Sequence, residues 1–260
     1  MSYKAGFRGL TKNTPKIVQD SDSGRQSGFT LVELSIVLVI IGLIIGGILK
    51  GQELIGNAQV KNVVSQAQSY QAATAAFRDK YGALPGDLVG ANNIIPNCTA
   101  APCLPAAAGN GNGIVGANAN ATYSDDVSAA AENVAFWQQL AAARFIGNID
   151  TDGTSAAIFG GRFPSAATGG GFHVLFQPLT GRHVLRLTGT PGAPDPAIGA
   201  LRPDQALQID RVLDDGRPGT GSVFTNTTLS AAATCFSGVV TAPYLAASGN
   251  STCNLVIDLN

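Results

Sequence analysis

One carboxylate lies inside an apolar stretch that is long enough to cross a lipid bilayer. The stretch SGFTLVELSIVLVIIGLIIGGIL covers residues 27–49, and Glu33 is its single charged residue. A carboxylate at membrane depth costs about 2.5–3.5 kcal/mol on insertion scales and therefore needs a partner. No Lys, Arg or His lies in the stretch, so the partner has to come from elsewhere. A cut between Gly28 and Phe29 would create an α-amino group, largely protonated near neutral pH, that could serve.

The length of the apolar run favours a helix that stays in the membrane. Residues 29–49 would form a helix about 30 Å long, which matches the hydrocarbon core of a bilayer. A secretory signal peptide has a shorter apolar core and a small-residue cleavage site after it, whereas Lys50-Gly51-Gln52 follows here. An uncut signal anchor fits the length, but it leaves Glu33 unexplained.

The sequence GFTLVE at residues 28–33 follows a basic leader and opens the apolar helix. It resembles the processing site of type IV prepilins and type II secretion pseudopilins. The resemblance implies that a membrane peptidase cuts after Gly28 on the cytoplasmic side and methylates the new N-terminus at Phe29. It also implies that Glu33 of one subunit meets the Phe29 amine of a neighbour, a pair in which each desolvated charge would be costly alone.

The charge distribution predicts the orientation of the chain in the membrane. Residues 1–28 carry five basic and two acidic side chains, a net charge of +3, while the remaining residues carry a net charge of −4. Basic residues before an apolar run hold that end in the cytoplasm, so the rest should be exported. The exported part has no basic stripe, so nucleic-acid binding has little support.

Helical spacing continues beyond the apolar run. Apolar residues recur at three- and four-residue intervals from Val60 to Tyr81, and the helix should end near Gly82, before the turn Leu84-Pro85-Gly86-Asp87. The expected divisions are a cytoplasmic leader (1–28), a transmembrane or filament-core helix (29–49), an amphipathic helix (50–82) and an exported globular head (83–260). The head should contain a long connecting loop and a disulfide-bounded C-terminal region.

The head should mix helices and strands. A helix is expected from Ser124-Asp125-Asp126 onward, with its apolar residues close to one face; these are Val134, Trp137, Leu140 and Phe145. Strands are expected at residues 172–177, 183–189, 222–224 and 254–259, the first two forming a hairpin. The predicted fold class is α+β, and the resemblance implies a long N-terminal helix packed on an antiparallel sheet.

Three glycines, Gly42, Gly46 and Gly47, lie in the apolar helix. Small residues at this spacing let helices approach closely in lipid, although glycine is also common in membrane helices. The resemblance adds a third interpretation, in which this part of the helix unwinds inside a filament.

All four cysteines, Cys98, Cys103, Cys235 and Cys253, lie in the exported part, where disulfides form. Proximity in the sequence favours a disulfide between Cys98 and Cys103, which leaves Cys235 to pair with Cys253. Four cysteines permit three disulfide connectivities, and all three are open. No CxxC pair is present, which disfavours a zinc site. In the family that the sequence resembles, a C-terminal disulfide-bounded region often forms exposed subunit surface.

Two sets of polar residues are candidates for functional sites. Asp210, Asp214 and Asp215 have oxygen ligands that could hold calcium, but a capped, solvated turn is the favoured interpretation. His173 and His183 fit surface or strand-pair positions better than catalysis, and the sequence shows no set of catalytic residues. No enzyme activity and no cofactor are therefore expected.

The predicted function is that of a structural subunit of a type IV pilus-like filament. Its expected partners are copies of itself or related pilins, the prepilin peptidase, membrane lipid and, indirectly, an assembly ATPase and a platform protein. The precursor is expected in the inner membrane with its head in the periplasm, and later in a surface pilus or a periplasmic pseudopilus. The alternatives are a type II secretion pseudopilin or minor pilin and, in a different class, a signal-anchored periplasmic enzyme or binding protein.

Overall fold

The computed structural model describes residues 28–98, 103, 109–116, 131–151, 158–177, 180–190, 198–225, 234–237, 243–245 and 253–259. The described helices are α1 (Leu31–Tyr81), α2 (Ala91–Ile94), α3 (Glu132–Ala142) and α4 (Pro203–Leu213). The described strands are β1 (Gly171–Gln177), β2 (Arg182–Thr188), β3 (Val223–Phe224) and β4 (Leu255–Asp258). The chain forms two compact units, Met1–Ile48 and Leu49–Asn260.

Helix α1 contains 51 residues and ends where the sequence predicted. In the second unit its stripe of apolar side chains is buried; the buried members are Val60, Val63, Val64, Ala67, Tyr70, Ala73 and Phe77. Gly82 follows the last helical residue, Tyr81, and has a φ of 71°, the left-handed conformation that favours glycine. Its N–H donates to the Arg78 carbonyl at 2.8 Å. The predicted turn follows, with the Asp87 N–H donating to the Leu84 carbonyl.

The four strands form one antiparallel sheet in the order β1-β2-β4-β3. The predicted hairpin is confirmed, because β1 pairs with β2 from Gly171 opposite Thr188 to Gln177 opposite Arg182. Each end of the four strands lies within one residue of the predicted bound. The fold is therefore α+β, with a long N-terminal helix and an antiparallel sheet.

The main core of the second unit lies between α1 and one face of the sheet. The Tyr70 ring lies edge-on to Phe172 of β1 and to Trp137 of α3, with centroids 5.3 and 5.0 Å apart. The Gln71 side chain donates to the backbone carbonyl of Asp258 in β4 at 2.6 Å. These contacts fix the buried half of α1 on the sheet through both apolar packing and a hydrogen bond.

The sheet also has a buried second face. Its smaller apolar cluster consists of Leu175, Val184 and Val256, with Phe224 packed against it. His173 and Arg186, which lie opposite each other on β1 and β2, are fully buried. The strand-pair position expected of His173 is therefore confirmed, and the surface position is wrong.

Helix α3 is buried on all sides rather than on one face. Every residue from Glu132 to Leu140 is buried, so the prediction of a single apolar face was too narrow. The predicted helix start at Ser124-Asp125-Asp126 lies outside the described residues, and the described helix begins at Glu132. Phe145 follows the helix and packs, half-buried, against Phe77.

Candidate functional site

The segment around the predicted cleavage point begins α1. Gly28, Phe29 and Thr30 precede the helix, and the Phe29 side chain is 86% exposed. Thr30 and Glu33 form a capping box at the helix start. The Thr30 N–H and hydroxyl both donate to Glu33 Oε2 at 2.9 Å, and the Glu33 N–H donates to the Thr30 hydroxyl at 3.3 Å.

This capping box is a role for Glu33 that the sequence analysis missed, although the S/T-x-x-E spacing could have revealed it. It satisfies one carboxylate oxygen and two backbone N–H groups that the helix start would otherwise leave unpaired. Within the described residues Glu33 Oε1 accepts no hydrogen bond. The carboxylate thus fixes the helix start with one oxygen and keeps the other available.

The apolar run of α1 is exposed on every side in the first unit. All side chains of residues 31–48 are exposed, from Ile41 at 45% to Leu31 at 88% among the large apolar ones. By length and composition α1 is the one described helix that could cross a membrane. An apolar helix surface without a polar face needs lipid or other helices around it.

The glycines of this run do not interrupt the helix. Gly42, Gly46 and Gly47 lie in regular α-helix, and a Cβ atom at any of them would meet no other atom within 4 Å. The close approach of neighbouring helices and the unwinding inside a filament concern an assembly of several chains, so both stay predictions.

Both disulfides pair as proximity in the sequence favoured. Cys98 bonds to Cys103, and Cys235 bonds to Cys253, with Cα atoms 5.3 and 5.1 Å apart. All four cysteines are buried. The second bridge closes a segment in which Phe236 and Tyr244 form an antiparallel bridge pair.

The structure brings the three aspartates of the possible calcium site together. One oxygen of each of Asp210, Asp214 and Asp215 lies within 4.8 Å of the others. All three carboxylates also accept hydrogen bonds from the chain. Asp210 accepts from the Gly216 N–H at 3.0 Å and from the Tyr244 hydroxyl at 2.8 Å.

Asp214 accepts the N–H groups of Ser222 and Val223, and Asp215 accepts the Arg217 N–H and the Thr220 hydroxyl. Burial raises the pKa of Asp210 to about 6, although its hydrogen bonds act in the opposite direction. These contacts are those of a hydrogen-bonded turn, and the cluster alone is weak support for calcium.

A second pair of carboxylates, which the sequence analysis did not single out, holds the loop at residues 109–116. Asp87 accepts the N–H groups of Gly111 and Gly113, one on each oxygen, both at 2.8 Å. Glu132 accepts the Asn110 amide at 3.1 Å and the Gly116 N–H at 3.3 Å. Burial raises the pKa of Glu132. The glycine-rich loop therefore folds around two acidic side chains.

The histidines have structural contacts. His183 Nε2 accepts the Val115 N–H at 3.1 Å, and burial lowers the pKa of His183 to about 4. The His173 ring lies 4.2 Å from the Phe163 ring, and burial, together with the nearby Arg186, lowers its pKa well below the ordinary value. Both rings are thus neutral parts of the packed second unit near pH 7.

Comparison with known proteins identifies the N-terminal segment. Residues 23–49 match a family model described as the prokaryotic N-terminal methylation motif. Among solved structures, the chain is similar to the major type IV pilin PilA1 from Clostridium difficile, with 13% identity and a TM-score of 0.35 over 79% of this chain and 97% of that one. No curated protein matches the chain significantly.

The matched residues contain the predicted cleavage point and Glu33. The chain thus carries a prokaryotic N-terminal methylation motif at the place where its sequence resembles prepilins and pseudopilins. The match covers the end of the leader and the apolar run, so it describes this segment and leaves the role of the second unit to be inferred.

Proposed function

We propose that this chain is a structural subunit of a type IV pilus-like filament, cut and methylated between Gly28 and Phe29. The observation that carries the proposal is the methylation motif at the start of an apolar helix exposed on all sides. Once released from the membrane, that surface would need burial among the equivalent helices of other subunits.

Glu33 supplies the polar element of the assembly. Its Oε2 atom is engaged by Thr30 of the same chain, whereas Oε1 accepts nothing among the described residues. The methylated Phe29 amine of a neighbouring subunit can therefore pair with Oε1 without breaking the helix start. In an apolar surrounding such a pair is strongly coupled, because either charge alone would be costly.

The other proposed partners and the proposed location are those expected of a prepilin. The prepilin peptidase would process the precursor, and an assembly ATPase and a platform protein would act on the processed subunit. The precursor would lie in the inner membrane with the second unit on the periplasmic side, consistent with the basic leader. The chain itself would carry out no catalysis and need no cofactor.

A second candidate shares the same motif. A type II secretion pseudopilin or a minor pilin would be processed in the same way, but it would not form the bulk of a surface filament. The two roles differ in where the processed chain accumulates.

The test is to determine the N-terminus of the chain by mass spectrometry, separately in mechanically sheared surface filaments and in membranes. Methylated Phe29 in the filaments would support the pilus subunit, and methylated Phe29 confined to membranes would support the pseudopilin or minor pilin. A chain that still begins at Met1 in cells with an active peptidase would reject both. The control is a Gly28→Leu variant, whose new side chain meets no atom within 4 Å at its Cβ and which should stay uncut.

A further inference from the structure

The second unit contains a polar cleft. It has a volume of about 370 Å³ and lies between the end of α1, the loop at residues 109–116 and the β1–β2 hairpin. Its lining includes Arg78, Asp87, Phe176, His183 and the glycines Gly82, Gly113 and Gly181. Its size is at the lower end of the range of small-molecule sites, about 300–1,000 Å³.

The charged groups of the cleft balance each other. The Arg78 guanidinium has no hydrogen bond or ion pair within the part of the chain that the structure describes. Asp87 is buried and already accepts two N–H groups from the loop. One cation and one carboxylate leave the cleft without net charge, which favours an uncharged ligand over an anion or a cation.

The walls offer both hydrogen-bond donors and acceptors. Gly82, Gly113 and Gly181 have positive φ angles, and a Cβ atom at each would meet nothing within 4 Å, so the backbone itself borders open space. The Arg78 carbonyl already accepts the Gly82 N–H, and the backbone carbonyls of the lining glycines can accept from a ligand. Arg78 can donate up to five N–H groups.

The hairpin side supplies a ring surface and one more donor. His183 Nε2 accepts the Val115 N–H, so the proton of the neutral ring is on Nδ1, which can donate. The half-buried Phe176 ring lies 5.1 Å from the His183 ring and also lines the cleft. An apolar ring face therefore lies among polar groups.

We propose that this cleft binds a carbohydrate unit, that is, an uncharged ring of one or two sugar residues that carries hydroxyl groups. Hydroxyls both donate and accept, so they match the mixed walls formed by Arg78, Asp87 and the glycine backbone. The C–H face of a sugar ring matches the Phe176 ring. The proposal does not depend on filament assembly, and it gives the second unit a recognition role.

The ordinary alternative is that Arg78 only interacts with the negative end of the α1 dipole, because it lies in the last turn of the helix. In that case an Arg78→Gln variant would change stability and bind the same ligands as the native chain. Binding measurements on this variant therefore separate the two roles.

The experiment is a glycan array probed with the labelled full chain in lauryldimethylamine oxide, a detergent without a sugar headgroup. The variants are Arg78→Gln and Phe176→Leu, and the matched control is Arg211→Gln, which removes an exposed arginine that does not line the cleft. The native chain and the control should bind the same glycans with the same signal. Both cleft variants should give a signal at least tenfold lower on these glycans, and the free sugar should reduce the signal of the native chain.

Circular dichroism melting shows whether each variant is folded, and the two cleft variants on different elements keep the test usable if one fails to fold. Retention of no glycan by the native chain would overturn the proposal. Equal retention by the native chain and a folded Arg78→Gln variant would also overturn it.

Discussion

Thr30 and Glu33 hold each other in a reciprocal arrangement at the start of α1. Two donors of Thr30 lie 2.9 Å from Glu33 Oε2, and the Glu33 N–H reaches back to the Thr30 hydroxyl at 3.3 Å. Such a cap stabilises the start of a helix, because it satisfies N–H groups that have no partner within the helix. The carboxylate that we propose as the partner of a neighbour's amine therefore also fixes the first turn of its own helix.

These two roles of Glu33 can be separated by substitution. In Glu33→Gln the amide oxygen can still accept from Thr30, but the negative charge is lost. In Thr30→Val the charge stays and the hydroxyl of the cap is lost. If the charge drives assembly, we expect Glu33→Gln to abolish sheared filaments and Thr30→Val to retain most of them, as measured by the yield of processed chain in the sheared fraction.

Membrane levels of the processed chain are the control for this comparison, because a variant that is not cut or not inserted cannot report on assembly. Normal filament yield from Glu33→Gln would show that the charge pair is unnecessary. If Thr30→Val lost its filaments and Glu33→Gln did not, Glu33 would matter for assembly through its cap at the helix start.

The burial of His183, which lowers its pKa, should make stability depend on pH. The folded pKa of His183 is about 4, below the ordinary value of about 6.5, so the unfolded chain binds more protons between these values. This contribution is fully present above pH 6.5 and is lost as the pH falls toward 4. The negative charge of Asp87 raises the pKa of His183, which partly offsets the effect of burial, and the positive charge of Arg78 lowers it further.

The measurement is urea unfolding of the full chain in detergent at several values between pH 4 and 7. Other groups titrate in this range, so the native chain is compared with His183→Gln, which keeps a side chain able to accept from Val115. The native chain should lose more stability than the variant as the pH falls. Parallel curves would show that His183 does not titrate in this way.

The two disulfides should differ in how much they stabilise the fold. Their cysteines are 18 residues apart in Cys235–Cys253 and 5 apart in Cys98–Cys103. In the chain-entropy account the longer loop contributes about 3 kcal/mol and the shorter one about 2 kcal/mol. Urea unfolding of the two paired Cys→Ser variants should give this order, and a larger loss from the shorter loop would contradict it.

Several elements of this fold are readable from the sequence because their signals are local. The three- and four-residue spacing from Val60 to Tyr81 and the turn at Gly82 predict the buried half of α1 and its end. The hairpin follows from two β-like segments around a short turn. The methylation motif and Glu33 could also be found from the sequence, because a charge within an apolar run stands out.

Other features depend on contacts between distant parts of the chain. The burial of His173 opposite Arg186 requires a second covered face of the sheet, and polar residues at those positions predict exposure. Asp87 holds a loop that begins more than twenty residues later, so no local pattern pairs them. The cleft beside Arg78 likewise exists only when three separate segments meet.

The acidic turn at the end of α4 should be insensitive to calcium. The Asp210, Asp214 and Asp215 carboxylates already accept hydrogen bonds from five backbone or hydroxyl donors besides the Tyr244 hydroxyl. A cation would have to replace part of this network.

We expect the thermal midpoint of the full chain in detergent to be the same with excess chelator and with added calcium. A bound ligand at one hundred times its Kd would instead add about 2.7 kcal/mol of stability, which a melting curve resolves. A rise in the midpoint with calcium that disappears in Asp215→Asn would show that the turn is a metal site, since that substitution removes a charge while keeping an acceptor for the Arg217 N–H.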